Sequence, residues 1–210
     1  MTYRVPCGIK IMNDKKGNDM NKVILTDCDG VLLNWEYAFH IWMEQMGYEK
    51  REGCYDVYDV ADKYYVTKEE GKKLIKMFNQ SAAMGFLPPL RDAVEYVRKL
   101  HEKGYVFHLI TSMSADQNAQ RLRTKNIKKL FGKTAFEKFI YLDTGADKDE
   151  ELSKYKDKEY IWIEDKVENA ECGDSFGLES ILMEHTFNMD NKKFPLMKNW
   201  KEIYEYITAE

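Results

Sequence analysis

Short apolar runs that break off into polar or acidic residues recur along this chain. They constrain its fold more than any other feature. Val23-Ile24-Leu25 leads into Thr26-Asp27-Cys28-Asp29-Gly30, and Val106-Phe107-His108-Leu109-Ile110 leads into Thr111-Ser112. Phe139-Ile140-Tyr141-Leu142 precedes a loop carrying Lys148, and Tyr160-Ile161-Trp162-Ile163 ends in Glu164-Asp165. Runs of this length, rich in β-branched and aromatic residues, read as buried strands. The strands expected later in the chain cover 139–143, 160–164 and 180–183. Amphipathic stretches separate the runs: 92–100, stopped by Gly104, and 116–130. A last one, 200–207, has Trp200, Ile203, Tyr204 and Ile207 at helical spacing. Strands alternating with helices imply a parallel sheet. The right-handed crossover rule then leaves a Rossmann-like three-layer α/β/α sandwich.

In open α/β sheets the ligand crevice lies beyond the carboxyl ends of the strands, so the residues that follow each run carry the functional question. Asp27 and Asp29 crowd two carboxylates at one strand end. That is costly unless a cation lies beside them. A hard ion such as Mg²⁺ suits carboxylate and carbonyl oxygens, and Gly30 permits a tight turn just beyond. On its own Asp-x-Asp-Gly also marks an ordinary turn. Thr111 and Ser112 can hold phosphate oxygens, or simply cap a helix. Lys148 can neutralise phosphate charge, or lie solvated on the surface, with Lys154 as the alternative position. Asp165 can complete a metal shell with Asp27, with Glu164 helping directly or through water; otherwise the pair is a charged loop. Taken together, these strand ends offer metal site, nucleophile, phosphate clamp and counter-charge.

Over residues 22–185 the chain resembles the haloacid dehalogenase (HAD) superfamily of phosphohydrolases. Asp27-Cys28-Asp29-Gly30-Val31 looks like its first motif, Leu109-Ile110-Thr111-Ser112 the second, Lys148 the third and Ile163-Glu164-Asp165 the fourth. The resemblance implies an Asp27 nucleophile that forms an aspartyl-phosphate and an Asp29 general acid and base. It also implies Mg²⁺ held by Asp27, Asp165, Glu164 and the Asp29 carbonyl, with Thr111, Ser112 and Lys148 on the phosphate. More narrowly, Asp27-x-Asp29-Gly30-Val31-Leu32, Phe86-Leu87-Pro88-Pro89, Ile110-Thr111-Ser112 and Asn199-Trp200 are similar to the 5'(3')-deoxyribonucleotidases. Glu164-Asp165 departs from the paired aspartates of that group. The expected activity is a Mg²⁺-dependent phosphomonoesterase acting on a small phosphorylated metabolite, with a nucleoside monophosphate as the leading substrate. A phosphotransferase or phosphomutase, a sugar-phosphate phosphatase and an inactive binding protein of the same fold are the alternatives.

The organisation expected is a leader over 1–21, a core over 22–33 and 88–210, and a small helical cap over 34–87. In the cap, Trp35, Phe39, Trp42, Met43 and Met46 have helical spacing up to a Gly47 stop. Thr67-Lys68-Glu69-Glu70 opens a second helix as a capping box, and Pro88-Pro89 ends the excursion. Phe39, Tyr55, Tyr65 and Phe86 are candidates for stacking on a flat substrate, although such rings also fill small cores. The leader is polar and turn-rich, and Met20 reads as an alternative start. At 210 residues and 44% hydrophobic the chain can bury one sizeable core. A net charge of −4 gives no broad basic surface for nucleic acid. Cys7, Cys28, Cys54 and Cys172 show no metal-ligand spacing and suit reduced thiols in the cytoplasm. No apolar stretch approaches membrane-spanning length.

Overall fold

A computed structural model describes residues 22–54, 57 and 59–209. The expected leader and Tyr55 lie outside the described residues. Among the described residues the sheet has six parallel strands in the order β3-β2-β1-β4-β5-β6. They are β1 (Val23–Thr26), β2 (Val106–Ser112), β3 (Phe136–Leu142), β4 (Ile161–Glu164), β5 (Glu179–Met183) and β6 (Leu196–Met197). Side chains alternate across each strand, and the core divides accordingly. Ile24, Phe107, Leu109, Ile163 and Met183 bury one face under α4 (Ala93–Glu102), α5 (Gln117–Phe131) and α8 (Trp200–Thr208). Leu25, Ile110 and Trp162 turn to the other face, against Leu152 of α6 (Asp149–Ser153). Leu182 packs there with Ala170 of α7 (Val167–Ser175). The result is the α/β/α sandwich expected from the sequence.

Most elements fall within a residue or two of their expected bounds, and the exceptions have physical causes. β3 begins at Phe136 rather than 139, because the charged Glu137 and Lys138 obscure a start that Phe136 anchors in the core. Charged side chains are normal on an edge strand, where they discourage pairing with another chain. β6 has only two residues, too few for a periodicity to register.

Between β1 and β2 the chain makes an excursion containing α1 (Trp35–Gln45), α2 (Val60–Lys63), α3 (Lys68–Asn79) and a 3₁₀ turn (Ala82–Gly85). Of the capping box expected at Thr67, the half in which Thr67 accepts from Glu70 N–H is present, while Glu70 Oε1 accepts from the Tyr48 hydroxyl; Asn34, a cap not read from the sequence, accepts from Tyr37 N–H. Gly47, with φ +82°, sits just past the first helix. Trp35, Phe39, Trp42, Tyr64 and Phe78 form a ring cluster in which Phe39 stacks on Trp35 at 4.7 Å. Apolar burial is continuous from this cluster through Met84 and Val31 into the sheet, so the excursion and the sheet share one core. Entry and exit lie side by side. Asn34 N–H donates to the Pro88 carbonyl and Leu90 N–H to the Leu32 carbonyl, both closing a short antiparallel contact at Leu33 and Pro89.

Gly173 shows how tightly α7 packs on the sheet. A Cβ there would lie 2.5 Å from Trp162 Cδ1 and 2.9 Å from Ser180 Oγ. Helix propensity alone would make Gly173→Ala stabilising by about 1 kcal/mol. We expect instead a net loss of about 1–3 kcal/mol from overpacking, read from the midpoint of urea unfolding.

Candidate active site

The order of the sheet reverses beside β1: the chain first builds outward through β2 and β3, then returns to place β4 on the other side of β1. A crevice opens at the carboxyl ends of the strands at such a switch point. The acidic residues that follow β1 and β4 therefore meet there. Asp27 N–H continues the ladder by donating to the Ile163 carbonyl at 2.9 Å. The carboxylates of Asp27, Glu164 and Asp165 each bring an oxygen within 4.8 Å of the others, and all three residues are buried.

Lys148 enters this cluster from the start of α6. Its Nζ donates to Asp27 Oδ1 and to Glu164 Oε1, each at 2.7 Å, and the side chain is 3% exposed. Lys154, the alternative position, instead pairs with Glu151 at the surface. Glu164 is saturated. Oε1 accepts from Lys148 and from Asn169 Nδ2, while Oε2 accepts from the N–H groups of Asp165 and Lys166.

Electrostatics separates the three acids. Burial raises Asp27 to about 6, opposed by Lys148 and reinforced by Glu164 and Asp29. Burial, then Glu164 and Asp27, push Asp165 well above the usual carboxylate range. Burial also opposes ionisation of Glu164, but Lys148 and the donated hydrogen bonds outweigh it and bring the group down to about 2. Glu164 is thus the fixed anion that holds the lysine, whereas Asp27 and Asp165 face each other with too little positive charge between them. Their hard oxygen donors and raised pKa values fit a divalent cation such as Mg²⁺.

The loop after β1 shapes the rest. Leu32 and Leu33 N–H both donate to the Cys28 carbonyl, and Gly30 turns back with φ +78°. A Cβ on Gly30 would lie 2.2 Å from Asp165 Oδ2, so only glycine lets that carboxylate approach. Asp29, the second acid of the motif, pairs with Arg123 of α5, whose side chain is fully buried. Arg123 also donates to Cys28 Sγ and to Met84 Sδ, each at 3.0 Å. Burial pushes the Cys28 thiol up to about 12, so it is a neutral packing group.

Thr111 is buried at the end of β2, next to β1 in the sheet. Ser112 donates to the Ala146 carbonyl at 2.6 Å and ties β2 to the loop that delivers Lys148. Phe39 is 2% exposed within the aromatic cluster, so its faces are covered by protein. Tyr65 and Phe86 are largely exposed, and the Arg51 guanidinium lies 4.6 Å from the Tyr65 ring centre.

Three further residues at the site were missed in the sequence, and two of them carry no signal there. Arg123 looks like one of many basic residues on α5. His185 donates from Nε2 to the Gly30 carbonyl at 2.7 Å and stacks on Phe187. Asn188 Nδ2 donates to the Asp165 carbonyl at 2.7 Å and to the Met183 carbonyl at 2.8 Å. Only Arg123 left a trace: it falls on the buried helix face with Ala119 and Ile127.

Comparison with known proteins gives the family and the fold. The family described as "5' nucleotidase, deoxy (Pyrimidine), cytosolic type C protein" matches residues 21–210. An uncharacterised 32.4 kDa protein of Enterobacteria phage T4 is 29% identical over 144 residues, covering 66% of this chain and 51% of that protein. The chain thus spans about half the length of this curated relative. Among solved structures, a haloacid dehalogenase-like hydrolase from Streptococcus pneumoniae superposes with TM-score 0.60 at 12% identity, over 89% of this chain and 98% of that one. CbbY from Rhodobacter sphaeroides, solved with phosphate, gives TM-score 0.55 at 14% identity over 88% and 96% of the two chains. A HAD-type protein of Bacillus subtilis bound to magnesium gives 0.57 at 12% identity over 90% and 99%.

The bridging lysine generates a stability test. Lys148→Ala leaves two buried carboxylates without their cation and should cost about 3–5 kcal/mol. Adding Glu164→Gln should recover part of that loss. A double-mutant cycle by chemical denaturation measures the coupling.

Proposed function

The chain belongs to the 5' nucleotidase, deoxy (pyrimidine), cytosolic type C family, and from that membership we propose that it is a Mg²⁺-dependent phosphomonoesterase that hydrolyses nucleoside monophosphates. The observation that carries this reading is the meeting of Asp27, Lys148 and Asp165 beyond the ends of β1 and β4. Asp27 is the nucleophile. A carboxyl titrating near 6 is ionised at pH 7 and can attack phosphorus. Asp27 forms the new P–O bond as the ester P–O bond breaks, and Asp29 gives its proton to the departing oxygen. In the second step Asp29 takes a proton from water as that water attacks the aspartyl-phosphate, and the Asp27 carboxylate is released. Lys148 keeps the Asp27 carboxylate oriented between attacks and faces the negative charge of the phosphoryl group. Thr111, with backbone N–H groups at the end of β2, binds phosphoryl oxygens.

Asp27, Asp165 and the Asp29 carbonyl are the groups that would hold Mg²⁺, which when bound neutralises phosphoryl charge. Glu164, with all its hydrogen-bonding positions engaged, acts through Lys148 rather than as a ligand. Residues 34–87 act as a cap over the crevice, and the exposed rings of Tyr65 and Phe86 suit contact with a nucleobase better than the enclosed Phe39.

A phosphate-release screen over nucleoside monophosphates and sugar phosphates tests the reading. We expect turnover of nucleotides that falls to background in Asp27→Asn. Turnover of sugar phosphates with none of nucleotides would remove the substrate assignment. Asp165→Asn should raise the Mg²⁺ concentration for half-maximal rate, with partial recovery at excess metal.

The acids also give a pH dependence. The folded-state pKa of Asp27 lies above its ordinary 3.8, so its ionisation costs stability as pH rises from 3.8 through about 6. Glu164 has the opposite sign: its contribution is present above 4.5 and is lost as pH falls toward about 2. A cation that relieves the ionised Asp27–Asp165 pair should therefore raise the melting temperature more at pH 7 than at pH 5. Thermal melts with and without Mg²⁺ at the two pH values measure the difference.

A further inference from the structure

We infer that Arg123 is the positioning residue for Asp29, holding one carboxylate oxygen so that the other can serve the leaving group; this rests on the phosphomonoesterase reading above. The case begins with an anomaly. A guanidinium with no solvent exposure sits in the middle of α5, between the apolar residues Ala119 and Ile127. A buried cation is retained only where a specific anion answers it. Asp29 supplies it: its Oδ1 accepts from Arg123, its negative charge is complete once its proton has gone to the leaving group, and its side chain keeps 23% exposure.

The contacts define an orientation. Arg123 Nη1 donates to Asp29 Oδ1 and to Cys28 Sγ, while Nη2 donates to Met84 Sδ. Arg123 Nε, also buried, has no hydrogen-bond partner among the described residues. The guanidinium is therefore committed through its two terminal nitrogens, and it is held by α5, by the loop after β1 and by the 3₁₀ turn of the excursion. With Oδ1 fixed, Oδ2 is the oxygen available to carry the proton. In the first step the Oδ2–H bond breaks, the proton passes to the ester oxygen, and the ester P–O bond breaks with its electron pair on that oxygen. The negative charge left on Asp29 then lies against Arg123. A freely rotating Asp29 would lose this placement, and misplacing a catalytic group by about 1 Å can cost on the order of 100-fold.

Dependence on the leaving group separates this role from general structural support. A nucleoside monophosphate releases an alkoxide, which needs protonation. p-Nitrophenyl phosphate releases a stable phenolate, which needs little. Because the second step uses Asp29 as base for both substrates alike, the readout is leaving-group release in a single turnover with enzyme in excess, and we expect Arg123→Met to slow that step on the nucleotide by about 100-fold, the scale of general-acid catalysis. On p-nitrophenyl phosphate the loss should stay below about tenfold, with KM little changed on both. Arg123→Lys, which keeps the charge but loses the fork, should show the same imbalance to a smaller degree. Equal losses on the two substrates, or a change confined to KM, overturn the inference. Should Arg123→Met lack the wild-type circular dichroism spectrum, the ratio of losses in Arg123→Lys decides: an imbalance supports the inference, and no imbalance overturns it. Asp29→Asn is run beside them. If Asp29→Asn shows the imbalance and the Arg123 variants do not, Arg123 has no such role while the reading of Asp29 stands. If Asp29→Asn slows single-turnover leaving-group release equally on both substrates, the general-acid reading itself fails.

Discussion

The double hydrogen bond from Lys148 to Asp27 and Glu164 is the interaction on which the site depends. Two carboxylates and an ammonium group are buried together, and none could be buried alone without large cost. Four donors hold Glu164 in place, and Glu164 holds the lysine. The lysine in turn fixes the Asp27 carboxylate at the tip of β1. The chain of support therefore runs from the start of α7, through β4 and α6, to the Asp27 carboxylate. Asp165 lies outside this chain of charge compensation. Its carboxyl approaches only because position 30 has no side chain, and that leaves the pair of acids in want of a cation.

Much of this could be read from the residues. The strands are legible because both faces of the sheet are covered, so each strand is a nearly continuous apolar run. The acids and Lys148 are legible because they lie where those runs stop. Three kinds of feature were not. Elements too short for a period, such as the two residues of β6, have no pattern to detect. The start of the edge strand was hidden, since Glu137 and Lys138 there face solvent. Partners that depend on tertiary approach were also hidden. Arg123 meets Asp29 across 94 positions of sequence, and His185 meets Gly30 across 155. No local pattern encodes such pairings, although an arginine on the apolar face of a helix is a usable hint.

The aromatic candidates show the same limit. Composition alone cannot separate rings that fill a core from rings that meet a ligand. Burial sorts them: Phe39 stacks within the excursion, whereas Tyr65 and Phe86 stand in solvent.

The paired stem at Leu33 and Pro89 has a mechanical meaning. Two chain segments fastened to each other by backbone bonds cannot swing independently, so residues 34–87 leave and re-enter the sheet as one ribbon, and the shared core and the Asn126 bond to the Leu87 carbonyl hold them against it. The near end of that ribbon bonds directly to the amide and carbonyl groups of the turn at Cys28 and Gly30. The turn that carries Asp29 and the entrance to the excursion are thus one hydrogen-bonded piece of backbone.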